Sequence, residues 1–178
     1  MTATALSDLA DVEADLGRVD AAREHFDSAI KALYALDSDQ LILALRSRAL
    51  FKRNQRDHAG ALADFEEGYA QCLKRKPDHV VCQVLRVNRA GHIARMGRGE
   101  EALREADAVL AELKRMQREG DNEYAQALES RALALQAVGR AEEAVATQNL
   151  AIERYTAVFG ADHREVQRAK NNLAKLRE

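Results

Sequence analysis

The sequence predicts an all-α fold of stacked antiparallel helix pairs, and three observations carry that prediction. The first is composition. Of 178 residues, 47% are hydrophobic and 31% charged; alanine, leucine, glutamate and arginine dominate, there is one proline, and aromatic residues make up 4%. Such a chain favours helix almost throughout. The second is an internal repeat. The segments 5–30, 44–69, 85–110 and 127–152 align, each with a helical stretch, a short break and a second helical stretch. The third is the recurrence of small residues in register. Gly17, Arg56, Gly97 and Gly139 mark the breaks, at spacings of 39, 41 and 42 residues. Five residues after each stands Ala22, Ala61, Ala102 or Ala144, and seven before each stands Ala10, Ala49, Ala90 or Ala132.

Small side chains at matched heights let two antiparallel helices approach closely, while larger ones fill the gaps between them. Offsets of four and seven residues put Ala22, Phe26 and Ala29 on one helical face. A glycine at the break takes the left-handed conformation that ends the first helix. Arg56 departs from that rule, so the sequence predicts a looser turn there. Between the pairs, Asp39, Asp78, Asp121 and Asp162 stand just before the next helix, where a carboxylate caps free N–H groups. The spacing predicts helices over 3–16, 19–36, 39–55, 57–75, 78–96, 99–119, 122–138, 141–159 and 163–177. Val166, Ala169, Leu173 and Leu176 give the last of these one apolar stripe, as for a helix that closes a stack. The reading is one domain over 1–178 with no linker: repeats at about 3–38, 39–77, 78–120 and 121–160, then a capping helix at 162–177.

The segments LGRVDAAREHFDSAI and VGRAEEAVATQNLAI resemble the turn and second helix of the tetratricopeptide repeat family. The repeats exceed the family's usual length of roughly 34 residues. With linkers such as FGADHREV and the run Asn172-Leu173-Ala174, they look like its kinesin-light-chain subtype, which also occurs in bacterial signalling proteins. The resemblance implies a right-handed α-α superhelix of four helix pairs plus a C-terminal capping helix. It implies a concave face, lined by the first helix of each pair, that binds a peptide or partner protein.

Counting from the in-register alanines places Arg46, Leu50, Arg53, Asn54, Asn88, Arg95, Gln126, Glu129 and Asn172 on that face. Ser7, Asp11, Ala14 and Asp15 lie there in the first repeat, giving a groove acidic at its start and basic in its middle. Arg46, Arg53 and Arg95 suit a carboxylate of the ligand, and the resemblance gives Asn88 and Asn172 a role in holding peptide backbone. Asp11 and Ser7 stand where a clamp for a C-terminal carboxylate would need a cation and an amide, which argues against that ligand. Arg48, Arg89 and Arg131 recur one residue before the alanine; a long stem packed between helices, with its guanidinium on a carboxylate, explains them better than an anion-binding ladder does.

Other functions find no support in the residues. A net charge of −2 gives no reason to expect nucleic acid or an anionic membrane. No apolar run approaches the roughly 20 residues of a membrane span, and the N-terminus lacks the pattern of a signal peptide. Cys72 and Cys82 are read as small apolar residues of a reducing cytoplasm, in preference to a transient bridge between them. The five histidines lack metal-ligand spacing, and His79 and His163, in matching linkers, read as punctuation of the repeat. There is no phosphate loop and no nucleophile motif, so no cofactor, metal or enzymatic activity is expected. The sequence therefore points to a protein- or peptide-binding module of a signalling or regulatory protein. The alternative is a homodimer formed through the apolar edge of the first pair, Leu9 and Leu16, which no preceding helix covers.

Overall fold

The structure is a computed structural model and describes residues 1–177. Among the described residues it holds nine α-helices: α1 (Ala3–Asp15), α2 (Val19–Ala35), α3 (Gln40–Asn54), α4 (His58–Arg75), α5 (Val80–Arg95), α6 (Gly99–Arg115), α7 (Asn122–Ala137), α8 (Ala141–Phe159) and α9 (Arg164–Lys175). The chain divides into two compact units, Met1–Leu85 and Arg86–Glu178, with the boundary inside α5.

In the first unit, α1 pairs with α2 and α3 with α4. Ala10, Ala22 and Phe26 are fully buried between α1 and α2, and Phe51 of α3 packs on them, its ring 5.4 Å from that of Phe26. Ile30, Leu33, Leu41, Ala44 and Leu45 join the two pairs. Ile42, Ala49, Phe65, Cys72, Cys82 and Leu85 continue the core to the first turns of α5. Truncating a buried phenylalanine of this kind to alanine removes about 3–5 kcal/mol. Gly68 falls where the other pairs carry Ala29, Val109 and Ala151. A Cβ there would stand 3.1 Å from Leu85 Cδ2, so glycine lets α4 approach α5. In the second unit α7 packs on both α6 and α8, and α9 packs on α8. Ala102, Ala106, Val109 and Leu113 line the buried side of α6. Ala125, Tyr155, Val166 and Ala169 seat α9.

The turns within the helix pairs close alike. After α1, the N–H of Gly17 donates to Ala14 O and that of Arg18 to Glu13 O. After α3, the N–H of Arg56 donates to Arg53 O and that of Asp57 to Lys52 O. Arg56 holds a left-handed φ of 64°, beside 73° for Gly17, 78° for Gly97 and 77° for Gly139. The turn at Arg56 is therefore not the looser one that the sequence suggests. The two capping hydrogen bonds hold its shape, and the side chain bears the steric strain of the left-handed region. Asp37 and Gln117 take the same conformation after α2 and α6, with Ser38 N–H on Leu33 O and Arg118 N–H on Leu113 O. That motif ends α6 at Arg115, four residues before the expected 119.

The interhelical aspartates do not cap. Asp39 is already helical, at φ −61° and ψ −24°, and its carboxylate pairs with Lys76 at 2.7 Å. The hydrogen bond from Lys76 pulls the Asp39 carboxyl below the usual range. Asp121 makes no capping hydrogen bond and pairs with Arg118 at 2.6 Å. At the starts of α5 and α9 the acceptors are imidazoles: Val81 and Glu165 each donate their N–H to Nδ1 of His79 and His163, at 3.2 Å. The cysteines also depart from expectation. Cys72, near the end of α4, and Cys82, at the start of α5, form a disulfide with Cα atoms 5.5 Å apart. The helix hairpin at residues 76–79 brings the two together, a proximity their linear spacing does not announce.

Arg56→Gly removes the strain and keeps both hydrogen bonds. The expected result is a gain of about 0.5–1 kcal/mol in unfolding free energy, offset in part by the looser unfolded chain. Urea melts of both proteins measure it, and a loss of stability would show that the Arg56 side chain makes a contact of its own.

Candidate functional site

Within each unit, a hydrogen bond joins the first helix of one pair to the first helix of another. In the first unit, Ser47 Oγ on α3 donates to the Asp11 carboxylate on α1 at 2.9 Å. In the second, Ser130 Oγ on α7 donates to Val87 O on α5 at 3.0 Å. Each unit therefore carries adjacent first helices, and the candidate residues are described on each in turn.

On the first unit's face, α3 presents Arg46, Leu50, Arg53 and Asn54. Leu50 is half-buried and packs on the core, and Leu43, one turn earlier than Arg46, is 46% exposed. Arg53 donates through Nη2 to Asn54 Oδ1 at 3.2 Å. Arg46 is different. Its Nε is buried and meets no hydrogen-bond acceptor. Burial lowers its pKa, against the pull of the Asp11 charge. Asp11 is the counterpart: burial holds its carboxyl above the usual range, the Ser47 hydrogen bond opposes this, and the Asp15 and Asp8 charges add to it. The face thus holds an under-satisfied cation beside a carboxylate that burial penalises, and perturbed charges of this kind gather where ligands bind.

On the second unit's face, Arg95 donates to Gly91 O of its own helix at 2.7 Å. Asn88 and Gln126 are half-buried. Glu129 and Asn172 do not stand free on this face. Glu129 is 7% exposed and accepts hydrogen bonds from Tyr155 Oη (2.8 Å), Arg168 Nη2 (2.6 Å) and Asn172 Nδ2 (3.0 Å). Gln148 Nε2, also buried, donates to Ala169 O at 2.9 Å. Burial works against the Arg168 charge, but the Glu129 carboxylate outweighs it and holds the guanidinium pKa above its ordinary value. Burial, with the same carboxylate beside it, raises that of Tyr155. The cluster ties α7, α8 and α9 together.

The recurring arginines bind neighbouring helices. Arg48 makes a two-pronged contact with Asp64 of α4, at 2.9 and 2.7 Å, and reaches Asp27 of α2 at 2.7 Å. Arg131 reaches Asp107 of α6 at 2.6 Å and Thr147 of α8 at 2.9 Å. Arg89 lies within 3.5 Å of Glu101 and 3.8 Å of Glu105 on α6. The partners are in register too: Asp64 and Thr147 fall eight residues after their turns, and Asp27 and Asp107 ten residues after the preceding ones. Sequence reasoning missed that Arg168-Ala169 repeats the step of Arg48-Ala49, Arg89-Ala90 and Arg131-Ala132. That dipeptide was the signal that α9 is another first helix, with its arginine turned to the protein.

Residues 2–32 and 125–165 match the family model described as tetratricopeptide repeat. Those two segments are similar to tetratricopeptide repeats. One crystal structure of putative kinesin light chain nearly identical TPR-like repeats from Podosopora anserina, that of a point variant, superposes with a TM-score of 0.74 at 16% identity, covering 97% of this chain and 83% of that one. A second crystal structure of those repeats gives 0.68 at 16% identity, over 97% and 93%. These likenesses show an all-α repeat fold of the kinesin-light-chain type. No curated protein matches the sequence. Tetratricopeptide repeats generally mediate protein–protein contacts and are typically scaffolds rather than enzymes. Among the described residues, no group of three or more His, Cys, Asp or Glu is placed to hold a metal ion. No helix among them is long and apolar enough to cross a membrane.

Two outcomes follow from these charges. Glu129→Ala takes from the buried Tyr155 hydroxyl its acceptor and leaves Arg168 with Glu165 alone, so unfolding free energy falls by about 1–3 kcal/mol in chemical denaturation. Asp11→Asn keeps an acceptor for Ser47 and removes the penalised charge. The folded chain binds the Asp11 proton more tightly than the unfolded one, whose carboxyl titrates near 3.8, so stability falls as pH rises through the interval above that value. The variant melts higher than the parent at about pH 7 and equally at about pH 3; equal midpoints at both would show that the carboxylate carries no penalty.

Proposed function

We propose that the chain is a docking module for a protein or peptide that brings an anionic group to the α1/α3 face of the first unit. The observation that carries this reading is Arg46. A guanidinium N–H buried without an acceptor is destabilising unless something supplies an oxygen, and a ligand carboxylate fits its planar fork. Leu43 and Leu50 lie on the same helix and offer apolar contact beside the charge. Arg53 and Asn54 extend the polar part of the face by one further turn. On the second unit's face, Asn88, Arg95 and Gln126 are the proposed contacts, whereas Glu129 and Asn172 act by fixing α9.

The resemblance supports a setting in a bacterial signalling or regulatory assembly. The Cys72–Cys82 bridge speaks against a strictly reducing compartment. Neither a nucleic acid nor a membrane is part of the proposal.

The experiment is affinity capture with the parent chain and with Arg46→Glu, followed by identification of what differs. Circular dichroism checks that both are folded. The expected outcome is loss of the specific partner from the variant, and binding by the parent that weakens as salt rises. Identical captured proteins at identical salt dependence would remove the α1/α3 face from the reading.

A further inference from the structure

The two end helices carry opposite charge. α1 holds Asp8, Asp11, Glu13 and Asp15 and no basic residue. α9 holds Arg164, Arg168, Lys170 and Lys175 against the single acid Glu165, and Arg177 follows it. On α1 the acids at 8, 11 and 15 form a stripe beside Leu9, Val12 and Leu16, which run at the same spacing one residue on. Val12 is 54% and Leu16 63% exposed, and Leu36 at the end of α2 is 70% exposed. On α9, Lys170 and Lys175, with Arg177 just beyond, are exposed and reach no carboxylate among the described residues, beside the half-buried Leu173 and Leu176. Asp8 and Asp15 are likewise exposed and meet no cation.

We propose that the α9 edge of one copy of this chain docks on the α1 edge of a second copy. Charge decides the pairing. Placing two α1 edges against each other sets acids against acids with no base to relieve them, and like charges across an interface select against it. Placing α9 there pairs them. Asp8 and Asp15 are seven residues apart, as are Lys170 and Arg177. On α1 that spacing is about 10.5 Å at about 1.5 Å of rise per residue, whereas Arg177 lies past the end of α9, so Lys170 and Arg177 offer one cation from the helix and one from the turn after it. Val12 and Leu16 on α1, with Leu36 at the end of α2, supply the apolar contact that exposed ion pairs alone lack. The contact is head-to-tail: it uses two different patches, one from each copy. The inference is independent of the Arg46 reading, because self-association is measured with no partner present.

Sedimentation velocity of the full chain over a range of concentrations tests it. The expected parent is a species heavier than a monomer that grows with concentration and recedes as salt rises. Asp8→Lys with Asp15→Lys, and separately Lys170→Glu with Arg177→Glu, each weaken association by about tenfold or more, since every contact then sets like charges together. Mixing the two variants in equal amounts restores it, because each now offers the edge that the other lacks. All four positions are exposed, and circular dichroism confirms folding. A parent that stays monomeric at every concentration overturns the proposal. So does a Lys170→Glu, Arg177→Glu variant that associates as the parent does, which would mean that α1 edges pair with each other or that another surface is used.

Discussion

Ala22, Ala61, Ala102 and Ala144 sit in the first turn of the second helix of each pair, and all four are fully buried. Each lets its helix come close to the one before it, and the rest of each unit depends on that closeness. Phe26 and Phe65 reach the interior only because the backbone four residues earlier has already come near. A bulkier side chain at the alanine would separate the helices and leave those rings half-solvated.

Close approach fixes distance but leaves neighbouring pairs able to slide along one another. The arginine before the alanine of the first helix removes that freedom. Arg48 and Arg131 each grip the second helix of their own pair and that of the pair before, through partners at matching positions. A guanidinium held by two helices has one satisfactory position along them. Arg168 takes the same step in α9 but turns to Glu129, and its cluster with Tyr155 and Asn172 fastens α9 to α7 and α8. The interior is thus apolar where helices must touch and ionic where they must align.

With the interior satisfied in this way, the groups left over stand out. Arg46 keeps a buried Nε without an acceptor, beside an Asp11 carboxyl that burial disfavours. Those two departures are the basis of the proposed docking on the α1/α3 face, and Asp8, Asp15, Lys170 and Lys175, which reach no opposite charge among the described residues, are the basis of the proposed self-association.

The sequence by itself determined the helices, their pairing and the faces they share, because those follow from periodicity and from residue size, which are local. It also determined the register, since Arg48, Arg89 and Arg131 are spaced with their alanines. Tertiary structure decided the partners. Glu129 looks like a ligand contact on the concave face in the sequence; α8 brings Tyr155 to it, and α9 brings Arg168 and Asn172 and closes it off. Asp39 looks like a cap until its own helical backbone turns the carboxylate to Lys76. Arg56 looks like a loosened turn until two hydrogen bonds hold it in glycine's conformation. Cys72 and Cys82 look unrelated until a hairpin joins them. In each case the deciding group arrives from outside the local helical pattern, or from backbone geometry that residue type does not encode.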